Sequence, residues 1–367
     1  MAKRARHYGW WVSPYSAKTR SYLRFSQIDF EDIEPSAFVL KRRVQRAVGR
    51  LIMPTLELPD GRWLQDSSVI IAHLEAEGRG PSITPPGSNQ AFASALLELF
   101  ADEWLPMAAL HYRWNTPENA AFALDEFARS AFPLLPRIVG RPLIAGMAEK
   151  MKSYLDVLGV AEHMQEVVER CVRDVIQALD VHFSESDFVF GGRPSLADFG
   201  LFGPLWAHLY RDPGSRALFD AYPALRRWMD EMEKGPEVRG DFLSDDHIPD
   251  ALNPIFLYAL RDQWAWIRTL VKAIDSYVVK HPEAERVPRA LGNAEFTFGG
   301  ARSTRKLVTF VQYKAQHAVE RFSLNPAKAT SWMERVLGNH SVEAVIPEIT
   351  HPFVLRNFKP VLAARVR

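Results

Sequence analysis

One turn near the N-terminus decides the fold, and it reads Val12-Ser13-Pro14-Tyr15-Ser16-Ala17-Lys18-Thr19-Arg20. An aromatic and β-branched run precedes it over residues 7–12 and predicts a strand. A proline directly after a serine predicts that a helix begins at Pro14, and the pattern of apolar residues continues this helix to Phe25. The stretch is therefore a strand-to-helix turn with one hydroxyl, that of Ser13, at the start of the helix.

The following segment continues this alternation of strand and helix. Residues 27–33 predict a second strand, and the basic, amphipathic run 40–51 predicts a second helix. Residues 54–64 predict a β-hairpin around a Pro-Asp-Gly turn, and residues 67–77 predict a closing helix. The order β-α-β-α-β-β-α predicts a small α/β domain over residues 1–80, with its strand ends on one side available to a ligand.

The character of the chain changes after this unit. Residues 78–89 hold three prolines and three glycines, which predicts a linker. Residues 90–235 show helical periodicity almost throughout and predict an all-α second domain. Residues 236–367 then add an extension, which is predicted to be mainly helical because long helical patterns cover residues 254–279 and 303–322.

Composition and charge exclude several function classes. The 367 residues carry 45 Lys and Arg against 44 Asp and Glu, and a formal charge of +1 gives no field to hold nucleic acid. The single cysteine, Cys171, cannot form an internal disulfide or a thiolate zinc cluster, which suits a reducing compartment. Metal and nucleotide motifs are absent, so no metal site is predicted. Because there is no signal peptide and no apolar run of about 18 residues, we expect a cytoplasmic protein without a membrane partner.

Three motifs occur together in one order and spacing. They are the turn at 12–20, Met-Pro-Thr-Leu at 53–56, and Leu-Gln-Asp-Ser-Ser-Val-Ile-Ile-Ala-His-Leu-Glu at 64–75. This trio resembles the N-terminal thioredoxin-like domain of soluble glutathione transferases, and the helical segment with Pro-Ser-Leu-Ala-Asp-Phe at 194–199 is similar to their C-terminal domain. The resemblance covers residues 5–235. It implies an α/β thioredoxin-like N-terminal domain plus an all-α glutathione-transferase-like helical domain, followed by an extra, mainly helical C-terminal extension of unknown role.

Ser13 is the candidate catalytic residue. A thiol with a pKa near ~8.5 is a poor nucleophile at neutral pH, and hydrogen bonds that favour its thiolate make it a good one. Serine-type members of the family place their thiol-activating hydroxyl at the position that Ser13 matches, so the resemblance implies that Ser13 holds the sulfur of glutathione as a thiolate. The alternative is that Ser13 only caps the helix that starts with Pro14.

Five further positions are candidates for binding glutathione. The resemblance implies a cis bond before Pro54, with the main chain of Met53 pairing with the cysteinyl unit; the alternative is an ordinary trans proline. Asp66 suits an ammonium, and Ser67 with free helix N–H groups suits a carboxylate, and the γ-glutamyl end of glutathione presents both. Simple N-capping is the alternative there. Lys41 could hold the glycyl carboxylate, or its helix face could be merely solvated.

An aromatic stripe in the second domain supplies the candidate substrate pocket. The resemblance implies that the helix carrying this stripe lines the pocket for the electrophile. The alternative is that the aromatic side chains pack in the core. The candidate residues are Trp104, Met107, His111 and Tyr112. Downstream, Ser195-x-x-Asp198 forms a capping box, which we assign to stability alone.

The leading hypothesis is a glutathione transferase-like enzyme with glutathione as co-substrate. The activated thiol would attack an electrophilic carbon of a small apolar molecule, in conjugation, dehalogenation or isomerisation. The alternative is a non-catalytic binding or scaffold protein of the same fold, whose extension meets a partner. Relatives of this fold often dimerise, so a homodimer is expected by analogy. The extension either packs against residues 90–235 or forms a lid over the electrophile pocket.

Overall fold

The N-terminal domain is a four-stranded sheet with helices packed against it. The structure is a computed structural model that describes residues 4–338 and 345–365. The strands are β1 Ala5–Tyr8, β2 Phe30–Ile33, β3 Thr55–Glu57 and β4 Trp63–Gln65. The helices are α1 Pro14–Phe25, α2 Ala37–Val39, α3 Gln45–Val48 and α4 Ser67–Ala76, with a π-helical turn Leu40–Val44 joining α2 to α3. These elements occur in the predicted order.

The sheet has the strand order β2-β1-β3-β4. Strand β1 pairs with β2 in parallel and with β3 in antiparallel register, and β3 pairs antiparallel with β4. The hairpin between β3 and β4 turns at Gly61, whose φ of 90° is open to glycine at no steric cost. This arrangement confirms the thioredoxin-like fold predicted for the N-terminal domain.

The second domain is all-α. Its helices are α5 Ser88–Glu103, α6 Pro106–Asn115, α7 Pro117–Ala131, α8 Arg137–Lys152, α9 Tyr154–Leu158, α10 Gln165–Phe183, α11 Leu196–Pro204, α12 Pro213–Arg216 and α13 Pro223–Lys234. A π-helical stretch, Leu205–Tyr210, continues α11. Helix α11 packs between α5 and α1, so it joins the two domains. The capping box at its N-terminus is formed by Ser195 and Asp198, as the sequence predicts.

The extension contains both helices and hairpins. Its elements are α14 Asn253–Leu257, a π-helical stretch Tyr258–Gln263, α15 Trp264–Lys280, β5 Ala290–Phe298, β6 Ala301–Val308, α16 Phe310–Phe322, α17 Pro326–Leu337, β7 Phe353–Arg356 and β8 Lys359–Leu362. Helix α16 packs against α5, and α14 packs against α10, so the extension lies on the second domain as the packing interpretation predicts.

The helix predicted over residues 303–322 is wrong in its first part. Residues 301–308 form β6, which pairs antiparallel with β5, and the helix begins only at Phe310. The turn between these strands is Gly299-Gly300, and both residues have positive φ. Paired glycines between alternating residues favour a tight hairpin turn, and this pattern outweighs the helical spacing of the apolar residues.

Within residues 4–338 and 345–365, no helix combines the length and the apolar character needed to cross a bilayer. In the same part of the chain, no three His, Cys, Asp or Glu side chains gather as a metal-ligand set would. Cys171 is buried in α10.

Candidate active site

The sheet brings the three sequence motifs together at one end of its strands. Tyr8, the last residue of β1, lies opposite Thr55, the first residue of β3. Thr55 in turn lies opposite Gln65, the last residue of β4. The turn that follows β1, the segment that precedes β3 and the helix start that follows β4 therefore share one end of the sheet. This pairing places the neighbourhoods of Ser13 and Asp66 on the same side of the domain.

Ser13 is the N-cap of α1. Its Oγ accepts a hydrogen bond from the backbone N–H of Ser16 at 3.2 Å, and Pro14 occupies the first helical position. The side chain is half-buried. In the part of the chain that the structure describes, the hydroxyl hydrogen of Ser13 has no acceptor. The capping role occupies the oxygen and leaves the O–H free to donate, so capping and thiol activation are compatible.

The second domain holds this turn in place. The buried Arg113 guanidinium donates to the carbonyl of Val12 at 2.9 Å and makes two hydrogen bonds of 2.7 Å to the carboxylate of Asp212. Gly203 on α11 approaches the start of α1 so closely that a Cβ there would lie 2.7 Å from the carbonyl oxygen of Pro14. The second domain thus fixes the position of the turn that carries Ser13.

The remaining glutathione-binding candidates differ in their surroundings. The peptide bond between Met53 and Pro54 is cis, as the resemblance implies. Pro54 is buried and Met53 is half-buried. Lys41 is exposed on the π-helical turn. The first two residues therefore sit at the sheet edge beside Thr55, and Lys41 is in solvent on a separate helix.

Asp66 and Ser67 form the start of α4. Asp66 has a φ of 83°, and its carboxylate accepts from the backbone N–H groups of Ser68 at 3.0 Å and Val69 at 3.4 Å. Ser67 is buried, and within the described residues its hydroxyl has no hydrogen-bond partner. A buried hydroxyl without a partner is uncommon in proteins and deserves an explanation.

A buried ionic cluster lies directly against this helix start. Lys18 of α1 donates to Glu98 at 2.6 Å, to Asp102 at 2.8 Å and to the hydroxyl of Ser68 at 3.2 Å. Lys314 of α16 donates to Asp102 at 2.7 Å and to Asp66 at 3.4 Å, and also to Ser68. We call these five charged side chains, Lys18, Asp66, Glu98, Asp102 and Lys314, the lysine-carboxylate cluster. It connects both domains and the extension.

The charges in this cluster stabilise one another. Burial alone would raise the pKa of Glu98, but Lys18 beside it brings this pKa well below its usual range. Burial would lower the pKa of Lys314, but Asp102 and Asp66 raise it further than burial lowers it. Both groups are therefore charged at neutral pH. Next to them, burial raises the pKa of Glu103 to about 7.

The predicted electrophile-pocket residues on α5 and α6 do not line an open cleft. Trp104 is 1% exposed and packs edge-on against Phe296 and Phe298 of β5. Arg305 of β6 stacks on Trp104 at 4.8 Å and donates to the backbone carbonyl of Glu103 at 2.8 Å. A guanidine nitrogen of Arg305 also approaches the sulfur of Met107, at 3.8 Å, so the β5–β6 hairpin covers this part of the stripe.

The other two residues of the stripe belong to the interior of the second domain. His111 is buried, and its Nε2 lies 3.1 Å from a carboxylate oxygen of Glu169 on α10. Tyr112 is half-buried beside the ring of His111, and burial raises its pKa to about 12. No described contact connects either residue to Ser13. Core packing, the alternative considered for this stripe, accounts for their positions.

The sequence analysis missed most of the lysine-carboxylate cluster. Neither Lys18 nor Asp102 is among the predicted site residues. One pattern indicates two members of the cluster: Glu98 and Asp102 stand four residues apart in the mostly apolar stretch 91–102. Carboxylates at that spacing share one helix face, and on an apolar helix they need cations from elsewhere in the fold.

Comparison with known protein families agrees with this arrangement. Residues 8–82 match the family model for the glutathione S-transferase N-terminal domain, and residues 160–231 match the model for the glutathione S-transferase C-terminal domain. The chain contains a glutathione S-transferase N-terminal domain followed by a glutathione S-transferase C-terminal domain. These two domains support a glutathione transferase-like enzyme. No curated protein sequence matches it.

Several solved structures are similar to this chain. The beta-etherase LigF from Sphingobium sp. strain SYK-6 is 19% identical, and the match covers 63% of this chain and 95% of that one, with a TM-score of 0.45. A glutathione S-transferase from Methylobacillus flagellatus KT with GSH bound is 18% identical over 63% of this chain and 99% of that one, with a TM-score of 0.41. The glutathione transferase GSTFuA3 from Phanerochaete chrysosporium is 16% identical, and the match covers 64% of this chain and 98% of that one, with a TM-score of 0.45.

Proposed function

We propose that this chain binds glutathione at the end of its N-terminal sheet where β1 and β4 finish and β3 begins, and that Ser13 holds the sulfur as a thiolate. The observation that carries this proposal is the strand register, which brings the Ser13 turn, the cis Met53-Pro54 segment and the start of α4 at Asp66 to this end of the sheet. A cysteinyl main chain would pair with Met53, and the γ-glutamyl end would meet Asp66 and Ser67. Glutathione is the co-substrate in this proposal.

Ser13 would act as a hydrogen-bond donor and not as a base. Its oxygen already accepts from the Ser16 N–H, which leaves the O–H to donate to sulfur. A donor that binds the thiolate more strongly than the thiol lowers the pKa of the thiol. The thiol proton passes to solvent, the sulfur forms a bond to an electrophilic carbon, and the leaving group departs with the bonding electron pair. In an isomerisation the same sulfur would add to the carbon and later leave.

The partner in this proposal is a small apolar electrophile. Because the β5–β6 hairpin covers Trp104 and Met107, these residues would pack beneath the site while the electrophile binds nearer to Ser13. We keep Lys41 as the candidate for the glycyl carboxylate, since its side chain is exposed and free to reach a ligand. A homodimer remains part of the proposal by analogy with the family.

A second candidate function is a non-catalytic binding or scaffold protein. One observation favours it: the extension buries the aromatic side chains with which an apolar substrate would pack. The two candidates differ in the ionisation of the bound sulfur, because the enzyme needs a thiolate and a scaffold does not.

The test uses glutathione binding and turnover together. Wild-type protein should bind glutathione in titration calorimetry and should conjugate it to an activated aryl chloride. Ser13→Ala should keep most of the binding and lose about 100-fold or more of kcat, which is the size of effect that one well-placed hydrogen-bond donor has in other enzymes. Ser36→Ala, which removes the cap of α2, is the matched control and should keep its turnover. Absence of binding in the wild type would exclude the enzyme; equal turnover in Ser13→Ala would exclude this role for Ser13.

A further inference from the structure

Helix α16 of the extension places an ammonium group at the start of α4. The Lys314 side chain is 5% exposed, and its three N–H donors have three acceptors: Ser68 Oγ, Asp102 Oδ2 at 2.7 Å and Asp66 Oδ1 at 3.4 Å. An ammonium has three donors and no acceptor, so its hydrogen-bonding capacity is used in full. Lys314 therefore already pairs with Oδ1 of Asp66, the carboxylate that we assign to the γ-glutamyl end of glutathione.

Helix α16 is held firmly in this position. Its inner face, which includes Ala315 and Ala318, is buried against the rest of the protein. The side chain of Gln316 makes two hydrogen bonds to the backbone of Phe353, at 2.8 and 2.7 Å. Gln312 donates to the carbonyl of His351 at 2.9 Å. Because these contacts fix the helix, Lys314 cannot leave the cluster by a simple side-chain rotation into solvent.

The charge count shows what Lys314 changes. Three carboxylates, those of Asp66, Glu98 and Asp102, face two buried ammonium groups, those of Lys18 and Lys314. Without Lys314, one ammonium would face three carboxylates, and the ammonium of a ligand would fill the vacancy. With Lys314 present, a ligand ammonium at Asp66 would stand within a few ångströms of a like charge. The two like charges would repel each other, and the carboxylates would offset part of that repulsion.

We propose that Lys314 determines the specificity of the γ-glutamyl subsite, because it takes the place at Asp66 that the ammonium of glutathione would occupy. This inference rests on the proposed function. The site then accepts cysteinyl thiols whose acyl group lacks a free amino group about as well as it accepts glutathione itself. The class of thiol substrate is correspondingly wider than the tripeptide, and the extension is what widens it.

The experiment compares two ligands by titration calorimetry. The first is glutathione; the second is glutaryl-cysteinylglycine, the same molecule with hydrogen in place of the α-amino group. Both are titrated into the full-length wild type, Lys314→Met, Lys314→Arg and Lys328→Met. Lys328 is the matched control because it belongs to the same extension and pairs with Asp246 at 2.6 Å, outside the lysine-carboxylate cluster.

In the wild type we expect the two dissociation constants to agree within about threefold. Lys314→Met should bind glutathione about tenfold or more tightly than the wild type, with little change for the glutaryl ligand. Lys314→Arg and Lys328→Met should behave as the wild type does. The wild-type comparison needs no variant, so it stands even if Lys314→Met does not fold.

Two outcomes would overturn the inference while leaving the proposed function intact. One is wild-type protein that binds glutathione about tenfold or more tightly than the glutaryl ligand. Asp66, already paired with Lys314, could not bind the ligand ammonium that strongly. The other is folded Lys314→Met with unchanged glutathione affinity. If neither ligand binds to any of the four proteins, the proposed function fails and this inference fails with it.

Discussion

Replacing Lys18 by methionine should destabilise the protein strongly. The side chain is 1% exposed and binds Glu98 at 2.6 Å and Asp102 at 2.8 Å. In Lys18→Met, Asp102 keeps Lys314 at 2.7 Å. Among the described residues, Glu98 then keeps the hydroxyl of Ser68 and, at 3.6 Å, Nδ1 of His317. Glu98 therefore stays buried and loses the ammonium that lies closest to it. Breaking a buried ion pair in this way costs about 3–5 kcal/mol of the free energy of unfolding.

The loss should depend on pH, with a sign that follows from Glu98. In the wild type the pKa of Glu98 lies well below its unfolded value, so its contribution to stability is present above about pH 4.5 and is lost as pH falls through the folded pKa. Without Lys18, burial dominates and the folded carboxyl takes up a proton at higher pH. The gap between wild type and Lys18→Met should therefore be widest at neutral pH and should narrow in acid.

Urea unfolding at pH 7 and at pH 4, followed by circular dichroism, measures both effects. The matched control is Lys272→Met, which removes an exposed lysine of α15 and should change the free energy of unfolding by less than about 0.5 kcal/mol. A cost below about 1 kcal/mol for Lys18→Met at pH 7 would refute the assignment of Lys18 as the counter-charge of Glu98. A cost that stays the same at pH 4 would refute the assignment of Glu98 as the stranded group.

Three further changes test the packing around the site. Asp198→Ala removes the acceptor of four hydrogen bonds, two from backbone N–H groups, one from a serine hydroxyl and one from an indole. It should lower the free energy of unfolding in urea by about 3 kcal/mol, and a loss under about 1 kcal/mol would contradict this. Gly203→Ala should cost about 2 kcal/mol because its Cβ meets the backbone of Pro14, whereas Gly146→Ala on α8, with open space around it, should be neutral or stabilising; equal effects would contradict the close approach. His208 is buried, and burial with the nearby Arg113 holds its pKa well below the usual value. Unfolding therefore takes up a proton, and the free energy of unfolding falls as pH drops below about 6.5. His208→Leu should reduce this pH dependence by up to about 1.4 kcal/mol per pH unit, and an unchanged slope would refute the assignment.

The N-terminal domain could be predicted from the sequence because its information is local. Each strand and helix there has its own start, turn or capping residue, such as Pro14 at the first position of α1 and Gly61 in the β3–β4 hairpin. The order of elements then leaves few possible topologies. The cis bond before Pro54 followed from the resemblance and not from the residues themselves.

The pairing within the lysine-carboxylate cluster could not be predicted because its members are far apart in sequence. Lys18, Glu98 and Lys314 come from three helices in three parts of the chain, and no local pattern indicates which lysine meets which carboxylate. The fold brings them together: Lys18 reaches Glu98 from α1, and α16 packs on α5. The β5–β6 hairpin was missed for a local reason, because Gly299-Gly300 was overlooked as a turn.

The pKa of glutathione's thiol on the protein tests the central claim most directly. Thiolate absorbs in the ultraviolet and thiol does not, so a pH titration of saturated wild type and Ser13→Ala reads the ionisation of bound sulfur without any electrophile. We expect the wild type to hold the thiol with a pKa at least about one unit below its free value of ~8.5, and Ser13→Ala to return it toward that value. Identical titrations of the two proteins, or a wild-type pKa equal to that of free glutathione, would contradict the account.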